Sequence, residues 1–470
     1  MRLLGVDVGT TSLKAVLFDE NGKPLSSVCV DYTLHASGER VELEAETYWR
    51  IFRQALDQVC PDRLPDAIAI DTQCETLILA DAKGNPLMNA IVWLDNRAKR
   101  EAQEIEAQFG RKEIYEKTGQ PEVTATWPAC KILWIKKHLP QIWSKTRKIF
   151  LLEDYLLYRL TGEFATEKTL QSSSLYFDIN TGSWWPEMLD FIGIPEEYLP
   201  RIEDSGVFLG TYGSCRVVTG AMDQVAGAIG AGIVSETVIS EMTGTTMAIF
   251  ANAKEIPPFR ADSIIPCHYN FNGKYCLLLW TPTAGMALKW FKNNLCENFS
   301  FRELDALAEK VPPGSGGLVF LPYLCGSTMP KYNPEARGCF AGLTLEHTRG
   351  HFVRSILESV ACMLRENLEY LGISPKEIRV TGGGAESPLW CRIKADITGT
   401  DLKTLKNKET ACLGSAILAG HGIGLFPSIE EASRRFAVPD RVFHPSGADQ
   451  SDVYKNFRIA DRLMQGGLNS

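Results

Sequence analysis

The cysteines of this chain lack the spacing that metal and redox motifs require. There are 13 of them, an odd number, so they are not all paired. Cys267 and Cys276 are the nearest two along the chain, and no Cys-x-x-Cys motif occurs. This absence removes the usual signature of structural zinc and of thioredoxin-like chemistry. We expect reduced, mostly buried thiols in a cytoplasmic protein.

A basic excess and a long apolar run are missing too. The chain holds 49 basic and 57 acidic residues, a formal net charge of −8. Nucleic acid is therefore not an expected partner, because binding it needs basic side chains that displace counterions. No apolar stretch approaches the ~18 residues that cross a bilayer. The apolar run before Asp7 is also too short for a signal peptide. We expect no membrane association.

Two common nucleotide-binding motifs are absent as well. No G-x-x-x-x-G-K-[ST] occurs, which excludes a P-loop enzyme, and no G-x-G-x-x-G follows a strand at the chain start. Residues 227–232, GAIGAG, are rich in glycine but have a different spacing. We interpret them as part of a helix that packs closely. A nucleotide stays compatible with an acidic chain because backbone amides and a metal ion can hold its phosphates.

What the sequence does contain is a repeated pattern. Residues 5–19 (GVDVGTTSLKAVLFD) and 239–252 (ISEMTGTTMAIFAN) each show a short apolar strand, a Gly-Thr-Thr turn and a second strand. Both patterns predict a β-hairpin with glycine at its tip, where a positive φ costs little. A third apolar run follows each hairpin, at 25–31 and 275–280.

Each half then continues into a mixture of helices and strands. Strands are predicted at 67–71 and 378–381, and helices at 45–59, 129–138 and 351–371, the last ending near Gly372 as a C-cap. The recurrence predicts an α/β protein with two domains of similar topology. We place them at residues 1–235 and 236–470.

Three of the predicted turns are suited to phosphate. In Asp7 to Ser12 a strand delivers a carboxylate and then turns through Gly9, Thr10 and Thr11. Amides and hydroxyls of such a turn can bind phosphate oxygens, Lys14 could neutralise a terminal phosphate, and Asp7 could hold Mg²⁺ through water. The second hairpin repeats the turn at Gly244, Thr245 and Thr246, and Gly383-Gly384 follows a predicted strand.

Asp223 is the candidate for proton transfer. It follows the apolar run 215–219 and begins a helix of small residues. An aspartate at this position is often only a helix cap. The alternative is a general base that accepts the proton of an attacking hydroxyl during phosphoryl transfer.

The ordered motifs resemble the FGGY family of carbohydrate kinases along the whole chain. They comprise the first hairpin, the segment NAIVWLDNRA (89–98), PACKILWIKKH (128–138), GCFAGLTLEHTRGHFVRSILE (338–358) and VTGGGAESPLWCRIKADITG (380–399). The 338–358 segment fits a diagnostic pattern of the family without a mismatch. The segment 128–138 follows another diagnostic pattern of the family, which begins two residues earlier. There Thr126 stands where the pattern has a Met, aromatic, Gly or Ser.

The resemblance implies an actin-like ATPase fold, with two ribonuclease-H-like domains around a catalytic cleft. It implies transfer of the γ-phosphoryl group of ATP, with Mg²⁺, to a hydroxyl of a sugar or polyol. Domain closure over the sugar would exclude water. The resemblance assigns Asp7 to the metal, Asp223 to the base, and the nucleotide to Gly9, Thr10, Thr11, Lys14, Gly244, Thr245, Thr246, Gly285, Gly383, Gly384 and Ala385.

The substrate side departs from the known branches. At residues 73–76 the sequence reads Gln73-Cys74-Glu75-Thr76. Glycerol kinases carry Gln-Arg-Glu-Thr at this place. Xylulokinase-like members carry Met-His in place of Cys74-Glu75. Gln73, Cys74, Glu75 and Trp93 are our substrate-side candidates beside Asp223. Glu75 can accept hydroxyl hydrogen bonds, whereas Cys74 lacks the charge of arginine and also fits as a small packing residue. Trp93 either stacks on a sugar or fills the core.

Several alternatives follow from these departures. The changes at Cys74 and Thr126 argue against plain glycerol, and the region 310–345 looks like the xylulokinase branch, so a ketopentose is the first expectation. A glycerol or other polyol kinase, and a non-catalytic actin-like nucleotide switch, remain alternatives. Pro388 replaces an Asn that many members place near adenine. His347 and His351 are interpreted as a capped surface pair, and a homo-oligomer stays open.

Overall fold

The computed structural model describes residues 1–262, 264–328, 330 and 332–467. The strands are β1 (Arg2–Val8), β2 (Ser12–Asp19), β3 (Pro24–Asp31), β4 (His35–Ser37), β5 (Arg40–Leu43), β6 (Ala67–Thr72), β7 (Leu77–Ala80), β8 (Ala90–Ile91), β9 (Lys148–Leu151), β10 (Ala165–Glu167), β11 (Phe177–Asp178), β12 (Ser183–Trp184), β13 (Arg201–Glu203), β14 (Phe208–Tyr212), β15 (Cys215–Val218), β16 (Val238–Thr243), β17 (Met247–Ala253), β18 (Cys267–Tyr269), β19 (Tyr275–Thr281), β20 (Val319–Leu321), β21 (Cys339–Ala341), β22 (Glu377–Thr381), β23 (Asp401–Leu405) and β24 (Pro439–Phe443).

The helices are α1 (Ala45–Val59), α2 (Lys99–Thr118), α3 (Pro128–His138), α4 (Pro140–Trp143), α5 (Leu152–Thr161), α6 (Lys168–Gln171), α7 (Pro186–Ile192), α8 (Asp223–Ala231), α9 (Gly285–Leu295), α10 (Phe301–Glu309), α11 (Arg349–Leu371), α12 (Pro388–Thr398), α13 (Thr410–Gly422), α14 (Ile429–Phe436) and α15 (Ser451–Gly467). Short 3₁₀ turns lie at Glu196–Tyr198, Ser315–Gly317 and Gly383–Glu386.

Two large sheets repeat one topology. The first has the order β14-β15-β6-β1-β2-β3, and the second β18-β19-β17-β16-β22-β23-β24. Strands β3-β2-β1-β6-β15 correspond in order and direction to β19-β17-β16-β22-β23: each set begins with antiparallel pairs and ends with parallel ones. Both predicted hairpins are confirmed as β1–β2 and β16–β17. A third sheet, β4-β5-β8-β7-β9, flanks the first.

The strands of the first large sheet end at Val218, and those of the second begin at Val238. These positions lie on either side of the expected domain boundary at residue 235, which itself stays a prediction. The helices expected at 45–59, 129–138 and 351–371 are confirmed as α1, α3 and α11. Gly372 adopts the left-handed conformation of a C-cap (φ 66°), as predicted.

The two halves meet where helices of small residues pack together. A Cβ on Gly230 of α8 would lie 1.8 Å from the carbonyl oxygen of Thr410, and one on Gly414 of α13 would lie 1.9 Å from that of Ala226. Likewise, a Cβ on Gly5 would lie 1.7 Å from the oxygen of Cys412. Only glycine permits these approaches. The close packing expected for residues 227–232 is confirmed, and α13 is brought directly onto β1.

Candidate active site

Three carboxylates gather where strands of the first sheet end. β1, β6 and β15 are parallel, so their carboxyl ends share one edge. Asp7 stands opposite Asp71 in the β1–β6 register, and a bridge between Thr72 and Met222 places Asp223 beside the end of β6. This edge of an open sheet is where ligands bind in α/β proteins.

The electrostatics of this group favour retained protons. Burial raises the pKa of Asp7, although a hydrogen bond with Asp71 and the charge of Lys14 oppose the shift. Burial also raises the pKa of Asp71 well above its ordinary value, and the charge of Asp7 adds to this. Burial, helped by the charge of Asp7, raises the pKa of Asp223 to about 7. A carboxyl with a pKa near neutrality suits general base catalysis.

Sequence reasoning missed Asp71. Its side chain is fully buried, and Oδ2 accepts a 2.6 Å hydrogen bond from Ser415 Oγ of α13. The signal was available, because the predicted strand 67–71 ends in an aspartate as the first strand does. What the sequence does not show is the register that puts Asp71 opposite Asp7.

These oxygens fit a magnesium ion. Among the residues that the structure describes, no three His, Cys, Asp or Glu side chains form a group that could hold a metal by themselves. Mg²⁺ prefers oxygen ligands, keeps several waters, and is usually held by one or two carboxylates together with substrate phosphates. The carboxyl oxygens of Asp7 and Asp71, which stand opposite each other in the β1–β6 register, match that donor set.

Three of the substrate-side candidates, Gln73, Cys74 and Glu75, lie in the turn after β6. Glu75 has a φ of 57°, the left-handed region, which costs a non-glycine residue about 1–2 kcal/mol. Burial raises its pKa to about 8, against the opposing charge of Lys131. Cys74 packs beside the apolar cluster around α8 and α13, and burial raises the pKa of its thiol well above the ordinary value. Cys74 is therefore a neutral side chain next to Glu75.

Gln73 is tied to the first phosphate turn. Its amide nitrogen donates to Tyr48 Oη at 3.2 Å, and its backbone N–H donates to the carbonyl of Val8 at 2.9 Å. Tyr48 packs edge-on against Tyr32, whose hydroxyl donates to the carbonyl oxygen of Gly9. The two tyrosines connect the sugar-side turn with the turn at Gly9.

Trp93 is not a core residue. It is 37% exposed, and its indole N–H donates to Thr10 Oγ1 at 3.0 Å. Its carbonyl oxygen accepts a 2.6 Å hydrogen bond from Thr126 Oγ1. The side chain thus links the sugar-side segment to the first Gly-Thr-Thr turn. The hydroxyl of Thr126, at the site of the family departure, is used to hold this segment.

Lys14 of the first phosphate region has a different partner from the one expected. Its ammonium forms a 2.7 Å ion pair with Glu409, at the start of α13. The pair connects the two halves of the molecule beside Asp7. Whether Lys14 also contacts a phosphate stays a prediction.

The nucleotide candidates of the second half come together around Gly244. The carbonyl oxygen of Thr245 accepts hydrogen bonds from Ala284 and Met286 at the start of α9, at 3.2 and 3.0 Å. A Cβ on Gly285 would lie 2.2 Å from the carbonyl oxygen of Gly244. The Gly244, Thr245, Thr246 turn and Gly285 therefore form one surface, and the absence of a side chain at Gly285 is required for it.

The glycines after β22 lie against the same strand end. A Cβ on Gly384 would lie 2.6 Å from the Cβ of Thr243, and Gly383 and Ala385 share its short 3₁₀ turn. Below this contact the buried ammonium of Lys394 binds Glu241 at 2.7 Å and Thr243 Oγ1 at 2.8 Å. The sequence did not single out that ion pair, which holds the strand end beneath both nucleotide loops.

The histidine pair lies elsewhere. His347 and His351 accept at Nδ1 from the backbone N–H groups of Thr344 and Thr348, at 2.9 and 3.1 Å, as residues that cap a turn and a helix. Their interpretation as a capping pair is confirmed. The 13 cysteines are all free and most are buried, and no helix within the described residues is long and apolar enough to cross a membrane.

The fold belongs to the actin-like ATPase class. It has two matching sheets that are joined by α8 and α13, with carboxylates and glycine turns at the strand ends. The N-terminal domain of the FGGY family of carbohydrate kinases matches residues 2–232, and the C-terminal domain of that family matches residues 269–423. The chain belongs to the FGGY family of carbohydrate kinases.

Relatives support the same family and span the whole chain. A xylulose kinase of Staphylococcus epidermidis is 27% identical over 97% of this chain and 94% of that protein. A glycerol kinase of Rhodospirillum rubrum is 32% identical over 99% of both. The solved structure of a xylulose kinase from Rhodospirillum rubrum superposes with a TM-score of 0.91, at 25% identity and full coverage of both chains. The expected fold and enzyme class are confirmed.

Proposed function

We propose that this carbohydrate kinase transfers the γ-phosphoryl group of ATP to a hydroxyl of a ketopentose, with Asp223 as the general base. The observation that carries the proposal is the Asp223 carboxyl itself. It stands at the start of α8, next to the end of β6, and burial with the charge of Asp7 raises its pKa to about 7. A base so poised can accept the hydroxyl proton as the phosphorus–oxygen bond forms.

The remaining candidates divide between the two substrates. Glu75 accepts hydrogen bonds from sugar hydroxyls, and Gln73 donates hydrogen bonds to them. Trp93 covers an apolar face of the sugar. The amides and hydroxyls of the turns at Gly9, Thr10, Thr11 and at Gly244, Thr245, Thr246 bind phosphate oxygens. Gly285, Gly383, Gly384 and Ala385 leave room for the nucleotide.

Asp7 would hold a magnesium ion, with Asp71 beside it. The metal supplies charge neutralisation for the phosphates. Asp71 retains its proton more readily than Asp7, because it is buried deeper and the charge of Asp7 adds to the rise of its pKa, whereas the 2.6 Å hydrogen bond that Ser415 donates to it opposes the rise. In this role Asp71 holds Asp7 in position across the two central strands.

A ketopentose is preferred over glycerol for two reasons. Cys74 is neutral and small where glycerol kinases carry an arginine, and Thr126 uses its hydroxyl to bind the carbonyl of Trp93 at 2.6 Å. The xylulose kinase relatives support this choice, whereas the 32% identical glycerol kinase makes glycerol the second candidate. Pocket differences of ~1–3 kcal/mol decide between such acceptors.

The first experiment is a coupled ADP-release screen over pentuloses, hexuloses, aldonates, glycerol and other polyols. We expect a ketopentose to give the highest kcat/KM. Highest kcat/KM with glycerol would replace the acceptor but keep the enzyme class. ATP binding without turnover of any acceptor, by well-folded protein, would instead identify a nucleotide switch.

Asp223→Ala tests the role of the base. We expect phosphoryl transfer to fall by at least ~10²-fold, the usual contribution of a general base, while the Kd for ATP stays nearly constant. Asp190→Ala is the matched control, because Asp190 is an exposed aspartate of α7. Near wild-type turnover by Asp223→Ala would give Asp223 another role.

A further inference from the structure

Lys131 is a lysine without solvent contact. It lies on α3, its side chain is 0% exposed, and its ammonium donates to the carbonyl oxygens of Glu75 at 2.9 Å and Val92 at 3.1 Å. Burying an ammonium group is costly unless it is hydrogen-bonded. Both carbonyls belong to the segments that carry the sugar-side candidates, which are far apart in sequence.

The hydrogen bond from Lys131 to Glu75 is made to the backbone and does not involve the Glu75 side chain. The hydrogen bond from Lys131 runs to the main-chain oxygen of Glu75, and among the described residues no ion pair joins the Lys131 ammonium to the Glu75 carboxylate. Glu75 has a left-handed backbone, with φ 57°. An ammonium on its carbonyl holds this unfavourable conformation and leaves the carboxylate available to a ligand.

The bond to Val92 acts next to Trp93. The carbonyl of Val92 also accepts from the backbone N–H of Asp95 at 3.0 Å, and the following carbonyl, that of Trp93, accepts from Thr126 Oγ1 at 2.6 Å. Thr126 and Lys131 flank the first turn of α3. Two consecutive carbonyls are therefore held, one by Lys131 of α3 and one by Thr126 just before that helix, and the indole is left to reach Thr10.

The charges around Lys131 allow it to stay in this position. Burial lowers the pKa of Lys131 to about 7, and the carboxylates of Glu75 and Asp95 oppose this shift by attracting the ammonium, while Arg97 repels it. Asp95 is itself occupied by Arg97 at 2.6 Å, and Arg97 also pairs with Glu42 at 2.5 Å. The network of Asp95, Arg97 and Glu42 fixes the turn after Trp93.

We propose that Lys131 is a positioning residue of the sugar site: by holding the carbonyls of Glu75 and Val92 together, it sets the Glu75 carboxylate and the Trp93 indole in the geometry that recognises the sugar. The inference rests on the proposed function. It assigns Lys131 no contact with substrate and no part in proton transfer.

The test compares two lysines of the same helix. Lys136 also donates to two main-chain carbonyls, those of Ile192 and Gly193, but these lie outside the site. Steady-state kinetics with the acceptor found in the screen, together with melting temperatures, are measured for Lys131→Met and Lys136→Met. We expect Lys131→Met to raise the KM for the sugar roughly ten- to hundredfold, as misplaced contacts do, with the KM for ATP changed less than about twofold.

Lys136→Met should lower the melting temperature without changing either KM. Thr126→Val is the second variant, in case Lys131→Met does not fold. It removes only the hydrogen bond to the Trp93 carbonyl, and it should raise the KM for the sugar several-fold with little effect on ATP.

The possible failures are distinguishable. An unchanged KM for the sugar in Lys131→Met, or in Thr126→Val where the first variant does not fold, overturns the positioning role. Equal increases in the KM for the sugar and the KM for ATP would indicate general damage to the protein. They would also overturn the positioning role. The proposed function is tested separately: the kinase activity fails when the wild type phosphorylates no acceptor, the ketopentose fails when another acceptor gives the highest kcat/KM, and the base fails when Asp223→Ala stays active.

Discussion

At the scale of single residues, the site is a set of acids at different depths. Asp71 is fully buried, whereas Asp7, Glu75 and Asp223 are partly buried at the strand ends. Each has a raised pKa, and burial is the largest cause in every case. Their mutual repulsion means that adding one negative charge disfavours the next. Which of these acids is ionised therefore depends on where each one lies, and Asp223 is the one that we propose takes a proton.

The pH dependence of catalysis follows from Asp223. A base must be ionised, and burial raises its pKa to about 7. We expect kcat/KM for the acceptor to fall ~tenfold per pH unit below that value and to level off above it. The measurement is a kcat/KM profile from pH 5.5 to 8.5, with the Kd for ATP followed over the same range as control. A flat profile would contradict the assignment.

At the scale of secondary structure, the packing of α8 against α13 connects stability with the site. Asp223 is the first residue of α8, so a shift of that helix moves the proposed base. The helix lies on α13 through glycines that leave no room for a methyl group. Small residues at this crossing thus serve the placement of a carboxylate one or two turns away.

Two glycines of α8 allow a matched test. A Cβ on Gly230 would lie 1.8 Å from the carbonyl oxygen of Thr410, whereas one on Gly227 would lie 4.0 Å from the nearest atom, Thr410 Oγ1. Gly230→Ala should destabilise the protein by about 1–3 kcal/mol because the helices must separate. Gly227→Ala should be neutral or stabilise by about 0.5–1 kcal/mol through helix propensity. Urea unfolding measures both, and equal effects would refute the close contact.

At the scale of the whole molecule, the halves are joined by specific bonds as well as by apolar packing. Ser415 of the second half donates to Asp71 of the first, and Glu409 pairs with Lys14. The site is thus completed by residues on both sides. Behind it, the first half buries the carboxyls of Glu153, Asp154 and Glu167, and this affects the stability of the entire fold.

Those buried acids predict a stability that falls as pH rises. Burial raises the pKa of Glu153 well above its ordinary value, that of Asp154 to about 8 and that of Glu167 to about 7. Between their unfolded values near pH ~4 and these folded values, the folded state binds more protons than the unfolded state. Stability is therefore greatest below the window and is lost as pH rises through it.

Thermal melting from pH 5.5 to 9 provides the measurement. Glu153→Gln keeps an oxygen for the backbone N–H of Gly220, which donates to Glu153 at 2.9 Å, but removes one titration. We expect its melting temperature to decline less steeply with pH than that of the wild type. Glu197→Gln, at an exposed glutamate, is the control and should leave the slope unchanged. Identical slopes for all three proteins would contradict the prediction.

Much of the fold was accessible from the sequence because it depends on local patterns. The two Gly-Thr-Thr hairpins, the helix that ends at Gly372 and the glycine-rich crossing at 227–232 are each encoded within a few residues. Asp7 and Asp223 were found for the same reason, since each follows a nearby apolar strand or run, whereas Glu75 was found through the resemblance to the family. The roles proposed for them remain predictions for the experiments above.

The sequence by itself determined the repeat, the turns and the acids at strand ends, since propensity and periodicity act over short distances. Only the tertiary structure decided that Asp71 faces Asp7, that Lys14 pairs with Glu409, that Trp93 reaches Thr10, and that Lys131 binds two distant carbonyls. These contacts join residues that are remote along the chain. Strand register and helix packing set them, and no local pattern records either.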